Sequence, residues 1–447
     1  MRLVLLVSLP AVAIVAASAT AEAAAPVPSP AVVAPLSLAE ALSRARAHSA
    51  RLAQLSSLEA AAAAALRGAR AARTPLLDLS ASYGRSSNVP ELTLAIPGAP
   101  PRTVFPNIPD NYRARAGVVL PLYTGGRIER GITVADQQRA AAAKDVESGA
   151  ADLTLEATGA YWTLVSSREN ARVLAEAVAS FEAHLGDAAH RRDAGMAARN
   201  EVLAVQVERD RAELSRLAAG NAAEVAHANL LRLIGLPLAT RLEPTEPLAA
   251  AAPPREDAET LLANAVEARA EIAALRARAA ALEASARAAR GATLPQASLS
   301  AAYEYANPNT RILPLASEWK GTWNVAASVS ITAFDGGRAA AAVAQAQSQA
   351  DAARYQMEDL SRRIRLEVTS RLLDLDMSWA AIEVAERSLE AARENVRVSR
   401  DRFGEGLIPS SELLDAETAL LRAGLDRTAA FAGLHLAVAD LDRAVGR

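Results

Sequence analysis

The feature that most constrains the fold is the stretch from Arg338 to Phe403, which contains neither glycine nor proline. Because these two residues most often interrupt a helix, the stretch predicts one continuous helix about 100 Å long. Large apolar residues recur in it at every seventh position: Val368, Leu375, Ile382, Leu389, Val396 and Phe403. A seven-residue apolar repeat is typical of a coiled-coil seam. We therefore expect a long helical rod that packs against other helices.

The composition fits long, thin helices better than ordinary globular domains. The chain has 447 residues, of which only 4% are aromatic, and alanine supplies much of its hydrophobic fraction of 51%. Small side chains fill thin contacts between helices rather than a thick core, so we expect an elongated molecule. The net charge of −3 gives no basic surface for nucleic acid, and no nucleic-acid partner is expected.

Residues 1–25 have the features of a secretory signal peptide. Arg2 supplies the positive end, an apolar run follows from Leu3 to Val15, and Ala-x-Ala cleavage options end at Ala23 and at Ala25. The alternative is a membrane anchor, although the run is shorter than the ~20 residues that a spanning helix needs. The sequence contains no cysteine, so we expect neither disulfides nor a lipidated cysteine after the signal.

The remaining chain follows a series of helix, strand, strand, helix and helix. Helices are predicted at residues 38–73, 128–192 and 200–234, and alternating apolar and polar residues predict strands at 77–83 and 112–122. The segment 86–110 is rich in proline and asparagine and is predicted to be a loop. A proline-rich linker is predicted at 237–256.

The same series then starts again. It predicts a helix at 257–290, strands at 299–305 and 323–331, the long helix, and a last helix after Gly406. The strand exit Gly125-Gly126-Arg127 recurs 211 residues later as Gly336-Gly337-Arg338, and Pro75 recurs 220 residues later as Pro295. A repeat of this length indicates a duplicated unit, so we predict two repeats, 36–236 and 257–447.

The predicted strands have the length and alternation of transmembrane β-strands, each with about ten residues. Four strands cannot close a barrel, and lipid does not tolerate an open sheet edge, so several chains would have to share one barrel. The alternative is a soluble β-sandwich with aromatic edges.

These features together resemble the TolC-type outer membrane factors. The resemblance rests on the duplicated series, on the two Gly-Gly-Arg strand exits, and on two similar helix turns at 191–206 and 402–417. It implies a mainly α fold with β: a homotrimer whose helices form a periplasmic α-barrel tunnel and whose strands, four per chain, form a 12-stranded outer-membrane β-barrel. Since the second repeat runs to Arg447, we expect no counterpart of the long C-terminal extension of some family members.

The resemblance also implies partners and a location. The chain would lie in the outer membrane lipid of a Gram-negative cell and extend into the periplasm. It would be the exit duct of a tripartite efflux pump or a type I secretion system, opened when a periplasmic adaptor and an inner-membrane pump or ABC exporter dock at the helix tips. The competing hypothesis is a periplasmic coiled-coil scaffold or adaptor that is not inserted in the outer membrane.

Glu412 and Asp415 match the family positions whose carboxylates form a ring at the periplasmic entrance of the channel. They are three residues apart, so both lie within one helical turn. A ring of six carboxylates would attract cations, and mutual repulsion would raise the carboxyl pKa values. The plainer interpretation is that acidic residues are common in a first helical turn because they complement the helix dipole.

The helix tips are the predicted docking site for the adaptor. The candidate residues there are Gly195, Met196, Leu203, Gly406, Leu407, Ile408 and Leu414. The glycines would allow the tight reversals, and the apolar residues would offer an exposed surface. The alternative is that these apolar residues pack only within their own chain.

No enzyme is predicted. The five histidines, His48, His184, His190, His227 and His435, show no metal-site spacing, and no phosphate-binding loop or nucleophile elbow is present. We therefore expect no catalytic residue, no metal and no cofactor.

Overall fold

The computed structural model describes residues 33–95, 97–98, 100–249 and 257–447, and the chain is mainly helical with a smaller amount of sheet. The predicted signal peptide lies outside the described residues, as do residues 250–256 of the predicted linker.

Eight α-helices occur among the described residues. They are α1 Leu38–His48, α2 Ala50–Ala71, α3 Arg127–Asp193, α4 Arg199–Leu233, α5 Ala258–Ala268, α6 Ala270–Arg290, α7 Arg338–Gly404 and α8 Ser410–Val445. The two long rods are confirmed, since α3 and α7 each contain 67 residues without a break.

The described strands form one large sheet and two small ones. They are β1 Val33–Leu36, β2 Leu76–Arg85, β3 Leu92–Leu94, β4 Arg102–Phe105, β5 Asp110–Tyr123, β6 Arg241–Pro244, β7 Gln296–Asn307 and β8 Lys320–Ser330. The four longest strands pair antiparallel in the order β2-β5-β7-β8, so all four predicted strands are confirmed.

Two segments without predicted elements contain short strands. The segment 86–110, predicted to be a loop, includes the antiparallel pair β3 and β4. The segment 237–256, predicted to be a linker, includes β6, which pairs parallel with β1. Strands of three or four residues are too short for an alternation pattern, so only their pairing partners define them.

The segment 237–256 also forms hydrogen bonds with the start of the first repeat. Glu246 Oε1 accepts a hydrogen bond from the Leu38 backbone N at 2.8 Å, and the Tyr161 hydroxyl contacts Glu246 and donates to the Leu36 carbonyl. Tyr161 is fully buried in the largest apolar cluster, together with Leu36 and Leu230. The main core therefore lies where α1, α3 and α4 meet β1 and β6.

The helices predicted at 38–73 and 257–290 are each divided into two in the structure. In both, the first helix ends after eleven residues. The first break is at Ser49, whose backbone is extended and whose hydroxyl accepts a hydrogen bond from Leu52 N, which caps α2. The second is at Arg269, a buried residue that donates to the carbonyls of Arg443 and Ala444. The break at Arg269 therefore depends on hydrogen bonds with residues near the C-terminal end of the chain.

The helices form a single layer with the same order as the sheet. In the half next to the sheet the order is α2, α3, α6, α7, and in the half next to the helix tips it is α4, α3, α8, α7. Among the described residues, β2, α2 and α4 therefore lie along one edge of the molecule, and β8 and α7 lie along the other.

The predicted strand-to-helix junctions have the same geometry in both repeats. Gly125 and Gly126 have φ values of 63° and 78°, and Gly336 and Gly337 have 66° and 86°. This left-handed conformation strains any residue with a side chain, which explains the repeated Gly-Gly pair. The second junction is capped by Asp335, whose carboxylate accepts hydrogen bonds from Gly337 N and Ala339 N.

Candidate functional sites

The large sheet has one apolar face and one polar face. The register places Leu79, Ala116, Tyr303 and Trp323 side by side in one row across all four strands. The next row, on the opposite face, consists of Ser80, Arg115, Glu304 and Thr322. A sheet with this alternation suits a wall between lipid on one side and water on the other.

The apolar face is exposed in the single chain. Leu79 is 76% exposed, Tyr303 52% and Trp323 72%. On the polar face, Arg113 Nε lies 3.5 Å from Glu304 Oε1, and the hydroxyls of Ser298 and Ser328 lie 2.8 Å apart. Within the described part of the chain, β2 and β8 each pair along one edge only.

The two helix tips are built in the same way. The turn between α3 and α4 contains Gly195 with φ 73°, and Met196 N donates to Arg191 O at 2.8 Å. The turn between α7 and α8 contains Gly406 with φ 78°, and Leu407 N donates to Arg402 O at 2.9 Å. A positive-φ glycine with this hydrogen bond is a common way to end a helix.

The predicted docking residues fall into two groups. Met196 is 73% exposed, Leu407 64% and Leu203 48%. The expectation of an exposed surface is wrong for the other two apolar candidates, since Ile408 is 6% exposed and Leu414 is 9% exposed.

Both buried candidates pack inside their own chain. Ile408 contacts Phe403 and Leu413 in a small cluster beneath the α7–α8 turn. Leu414 belongs to a second cluster that includes Phe181 and Val205. Because the turn folds back onto its own helices, the residue after Leu407 points inward while Leu407 remains in solvent.

Glu412 and Asp415 lie in the first two turns of α8, and both side chains are exposed. Glu412 Oε1 lies 3.6 Å from a guanidinium nitrogen of Arg402, which lies in the last turn of α7. An ion pair this exposed contributes little to stability. The two carboxylates are therefore free to face other groups when further chains are present.

A polar cluster built around two buried side chains, which we call the tip cluster, was missed by the sequence analysis. It consists of His184 and Ser180 on α3, Arg400 on α7, and Ser410 and Glu417 on α8. His184 Nδ1 lies 2.9 Å from Glu417 Oε2, and His184 Nε2 lies 2.9 Å from Ser410 Oγ. The side chains of His184 and Glu417 are only 1% and 2% exposed.

The remaining hydrogen bonds of the tip cluster are accepted by the buried carboxylate of Glu417. Ser180 Oγ donates to Glu417 Oε1 at 2.7 Å, and Arg400 donates to the same oxygen at 3.1 Å. The His184 ring also packs edge-on against Phe403. A signal was present in the sequence: His184 and Glu417 each lie three residues from an apolar seam residue, Phe181 and Leu414, where a surface residue is not expected.

The described residues contain no group of histidine, aspartate and glutamate side chains able to hold a metal ion. In the same part of the chain, no helix is both long and apolar enough to cross a membrane.

Several of the solved structures that match this chain are of outer-membrane channels or proteins. The outer-membrane channel OprN is 22% identical with a TM-score of 0.75, covering 92% of this chain and 89% of OprN. VceC from Vibrio cholerae is 19% identical with a TM-score of 0.76, covering 92% and 96%. The open state of MtrE from Neisseria gonorrhoeae is 19% identical with a TM-score of 0.76, covering 92% and 88%. At these identities the likeness shows a shared fold.

The sequence profile of the outer membrane efflux protein family matches residues 41–236 and 261–447. The chain therefore belongs to this family, and it is an outer-membrane exit duct of efflux pumps rather than a periplasmic scaffold. No match was found among curated proteins.

Proposed function

We propose that the chain is one of three identical subunits of an exit duct that serves a tripartite efflux pump or a type I secretion system. The partners are a periplasmic adaptor and an inner-membrane pump or ABC exporter. Three copies supply twelve strands for a barrel in the outer membrane, and the helices continue this barrel as a tunnel across the periplasm.

The main support for this proposal is the large sheet, which has one apolar and one polar face and whose edge strands β2 and β8 each lack a neighbour on one side within the described chain. Unpaired backbone groups at a sheet edge cost several kcal/mol each in lipid, so β2 and β8 need further strands. The apolar row through Leu79 and Trp323 has the chemistry to face lipid, and the polar row through Arg115 and Glu304 has the chemistry to face a water-filled lumen.

Membrane extraction and light scattering test the assembly. We expect the protein to remain in the outer membrane after carbonate washing and to show the mass of three chains in detergent. A monomer that is soluble in water without detergent would contradict the proposal.

Within this duct, we assign the adaptor contact to Met196, Leu407 and Leu203, the exposed members of the predicted tip surface. Ile408 and Leu414 support the turn from beneath. Since the chain has no cysteine, single cysteines can be placed for cross-linking in intact cells.

The expected result is an adaptor adduct from Leu407→Cys and none from the buried neighbour Ile408→Cys. The two positions are adjacent, so they share the same local concentration of adaptor. If Leu407→Cys and Met196→Cys both give no adduct, docking occurs elsewhere.

A further inference from the structure

The charged side chains on the polar face of the large sheet are unevenly distributed along it. Each of the four strands contributes at least one, and the set is Asp78 on β2, Arg113 and Arg115 on β5, Glu304 on β7 and Lys320 on β8. All three basic residues lie next to the connecting segments 86–109 and 308–319, at the end of the sheet away from the helices. The polar face is therefore positive at one end only.

The strand register gives the position of each charge. The row nearest the connecting segments that crosses all four strands consists of Ser82, Arg113, Ala306 and Lys320. It contains two cations and no acid. The next row contains Arg115 opposite Glu304. Asp78 lies one row closer to the helices, opposite Gly117. The two rows nearest the connecting segments thus hold three cations and one acid per chain.

The acid in these rows does not neutralise the cations. Glu304 Oε1 lies 3.5 Å from Arg113 Nε, and the arginine side chain is 54% exposed. Within the described residues, Arg115 is exposed and forms no ion pair. Lys320 Nζ lies 3.2 Å from Glu318 Oε2, in an ion pair with both side chains exposed. Exposed pairs of this kind are weak, so the guanidinium and ammonium groups remain available to a dissolved ligand.

The other charges at this end of the molecule cancel. The two connecting segments carry one acid and one arginine each, Glu91 with Arg102 and Glu318 with Arg311. On the apolar face, Arg85 pairs with Asp110 at 3.4 Å. The surplus of positive charge therefore belongs to the polar face, although the whole chain has a net charge of −3.

The segment 308–319 holds one end of the cationic row in place. Asn309 is only 3% exposed, and its side-chain amide donates to Lys320 O at 2.9 Å and to Thr322 Oγ1 at 3.2 Å. Ala306, which lies between Arg113 and Lys320 in the row, offers neither of them a counter-charge. The Lys320 side chain therefore extends from a strand end whose backbone is fixed.

Three copies of the chain would bring these cations around one lumen. A three-fold axis repeats each residue at the same height, so Arg113, Arg115 and Lys320 would form a band, which we call the cationic band. Arg113 and Lys320 lie on strands that are two apart in the sheet, about 10 Å, so a ligand with several charged groups can reach both. Arginine and lysine side chains arranged around a pore favour anions and phosphates.

We propose that the cationic band is a binding site for multivalent anions, with two or more phosphate, sulfonate or carboxylate groups, at the outer mouth of the duct. This inference rests on the proposed assembly of three chains. The ligand is a dissolved one, because the band shares its face with Ser80 and Thr322 and not with the apolar row through Leu79. The duct then has opposite charge at its two ends, since the helix tips carry exposed acids.

Single cysteines in the cysteine-free chain can report the local charge. Ser82 is the register partner of Arg113, whereas Ser328 lies on the same face next to the helices, in a row without charges. The variants Ser82→Cys and Ser328→Cys are purified in detergent at low salt. Each is treated with an anionic sulfonate or a cationic trimethylammonium methanethiosulfonate, and the rates are divided by those of a small free thiol.

We expect Ser82→Cys to react about tenfold faster with the anionic reagent than with the cationic one, because a positive surface concentrates anions. Ser328→Cys should show no preference. Inorganic tripolyphosphate is the probe for binding, and it should protect Ser82→Cys from the anionic reagent. The preference should disappear in 1 M salt, where the Debye length falls to about 3 Å.

Two further changes in the Ser82→Cys background identify the source of the effect. Arg113→Gln/Lys320→Gln should remove both the preference and the protection. Arg85→Gln is the matched control, because it removes one positive charge at the same end of the sheet but on the opposite face. It should leave both unchanged. The salt dependence tests the same charge effect without any change to the basic residues.

The outcomes separate this inference from the proposed function. Equal rates with the two reagents at Ser82→Cys, or no protection by tripolyphosphate, in a sample with the mass of three chains would overturn the anion site and leave the assembly standing. A loss in Arg85→Gln as large as that in Arg113→Gln/Lys320→Gln would also overturn it. A sample that contains only single chains would overturn the proposed function itself.

Discussion

Glu412 and Asp415 are the side chains on which the proposed ion preference of the duct depends. Both are exposed in the single chain and lie just after the α7–α8 tip. Three copies would bring six carboxylates to one level of the tunnel, and a ring of one charge sign attracts counter-ions.

We therefore predict that Glu412→Ala/Asp415→Ala moves conductance in planar bilayers from cation preference toward no preference and removes block by divalent cations. Glu358→Ala is the matched control, because Glu358 is an exposed acid far from the tip that pairs with Arg362 on its own helix. Unchanged selectivity in the double variant would exclude the ring.

The tip cluster has a different role, since Glu417 is buried and cannot contact ions in the tunnel. Its carboxylate joins α8 to α3 through Ser180 and His184 and to α7 through Arg400. Removing this carboxylate leaves the buried His184 Nδ1 without its hydrogen-bond partner, and an unsatisfied buried polar group costs about 1–3 kcal/mol.

We predict that Glu417→Ala lowers the apparent melting temperature far more than Glu412→Ala, whose carboxylate is exposed. Circular dichroism of the detergent-solubilised protein measures both. Equal shifts in the two variants would mean that the tip cluster does not stabilise the tip.

At the scale of elements, the alternation in β2 determines which residues tolerate charge. Leu79 and Ser80 are neighbours in the sequence but lie on opposite faces of the sheet. An arginine on a lipid-facing position of a barrel costs about 2–4 kcal/mol at the membrane centre, while lumen positions tolerate it.

We predict that Leu79→Arg lowers the yield of carbonate-resistant protein and its urea midpoint after reconstitution, whereas Ser80→Arg changes both little. The two variants add the same charge at the same depth, so each is the control of the other. If Ser80→Arg lowered the yield and the urea midpoint more than Leu79→Arg, the polar face of the sheet would be the one that faces lipid.

At the scale of the whole molecule, a cluster of charges joins the two repeats at their middle. Arg443, near the end of α8, donates to Asp152 of the first repeat at 2.8 Å and contacts Glu271 of the second. Burial alone would raise the pKa of Glu271, but hydrogen bonds from Arg443 and Arg269 lower it to about 2.

A lowered pKa means that the folded chain keeps Glu271 charged where the unfolded chain binds a proton. The stabilisation is therefore complete above the unfolded pKa near 4.5 and is lost as the pH falls toward 2. The shift corresponds to at most about 3 kcal/mol, since the side chain keeps some exposure.

We predict that Glu271→Gln lowers the melting temperature at pH 7 and that its difference from the parent protein shrinks as the pH falls from about 4.5 to about 2. Glu267→Gln, at an exposed position on α5, should show no such difference. A difference that stays constant with pH would assign the effect of Glu271→Gln to packing alone.

The sequence by itself determined the features that depend on neighbouring residues. The absence of glycine and proline between Arg338 and Phe403 set the length of α7, and the alternation around Leu79 set the two faces of the sheet. The recurrence of Gly125-Gly126 as Gly336-Gly337 marked the two equivalent strand-to-helix junctions. Each of these signals can be recognised in the sequence without knowing which distant residues come into contact.

The tertiary structure decided the features that depend on distant partners. The break at Arg269 follows from carbonyls at Arg443 and Ala444, and the pairing of His184 with Glu417 joins residues 233 positions apart. Ile408 is buried and Leu407 exposed because the turn folds back onto its own helices. Residue type and spacing do not specify these contacts, since they arise only when the helices pack against one another in the folded chain.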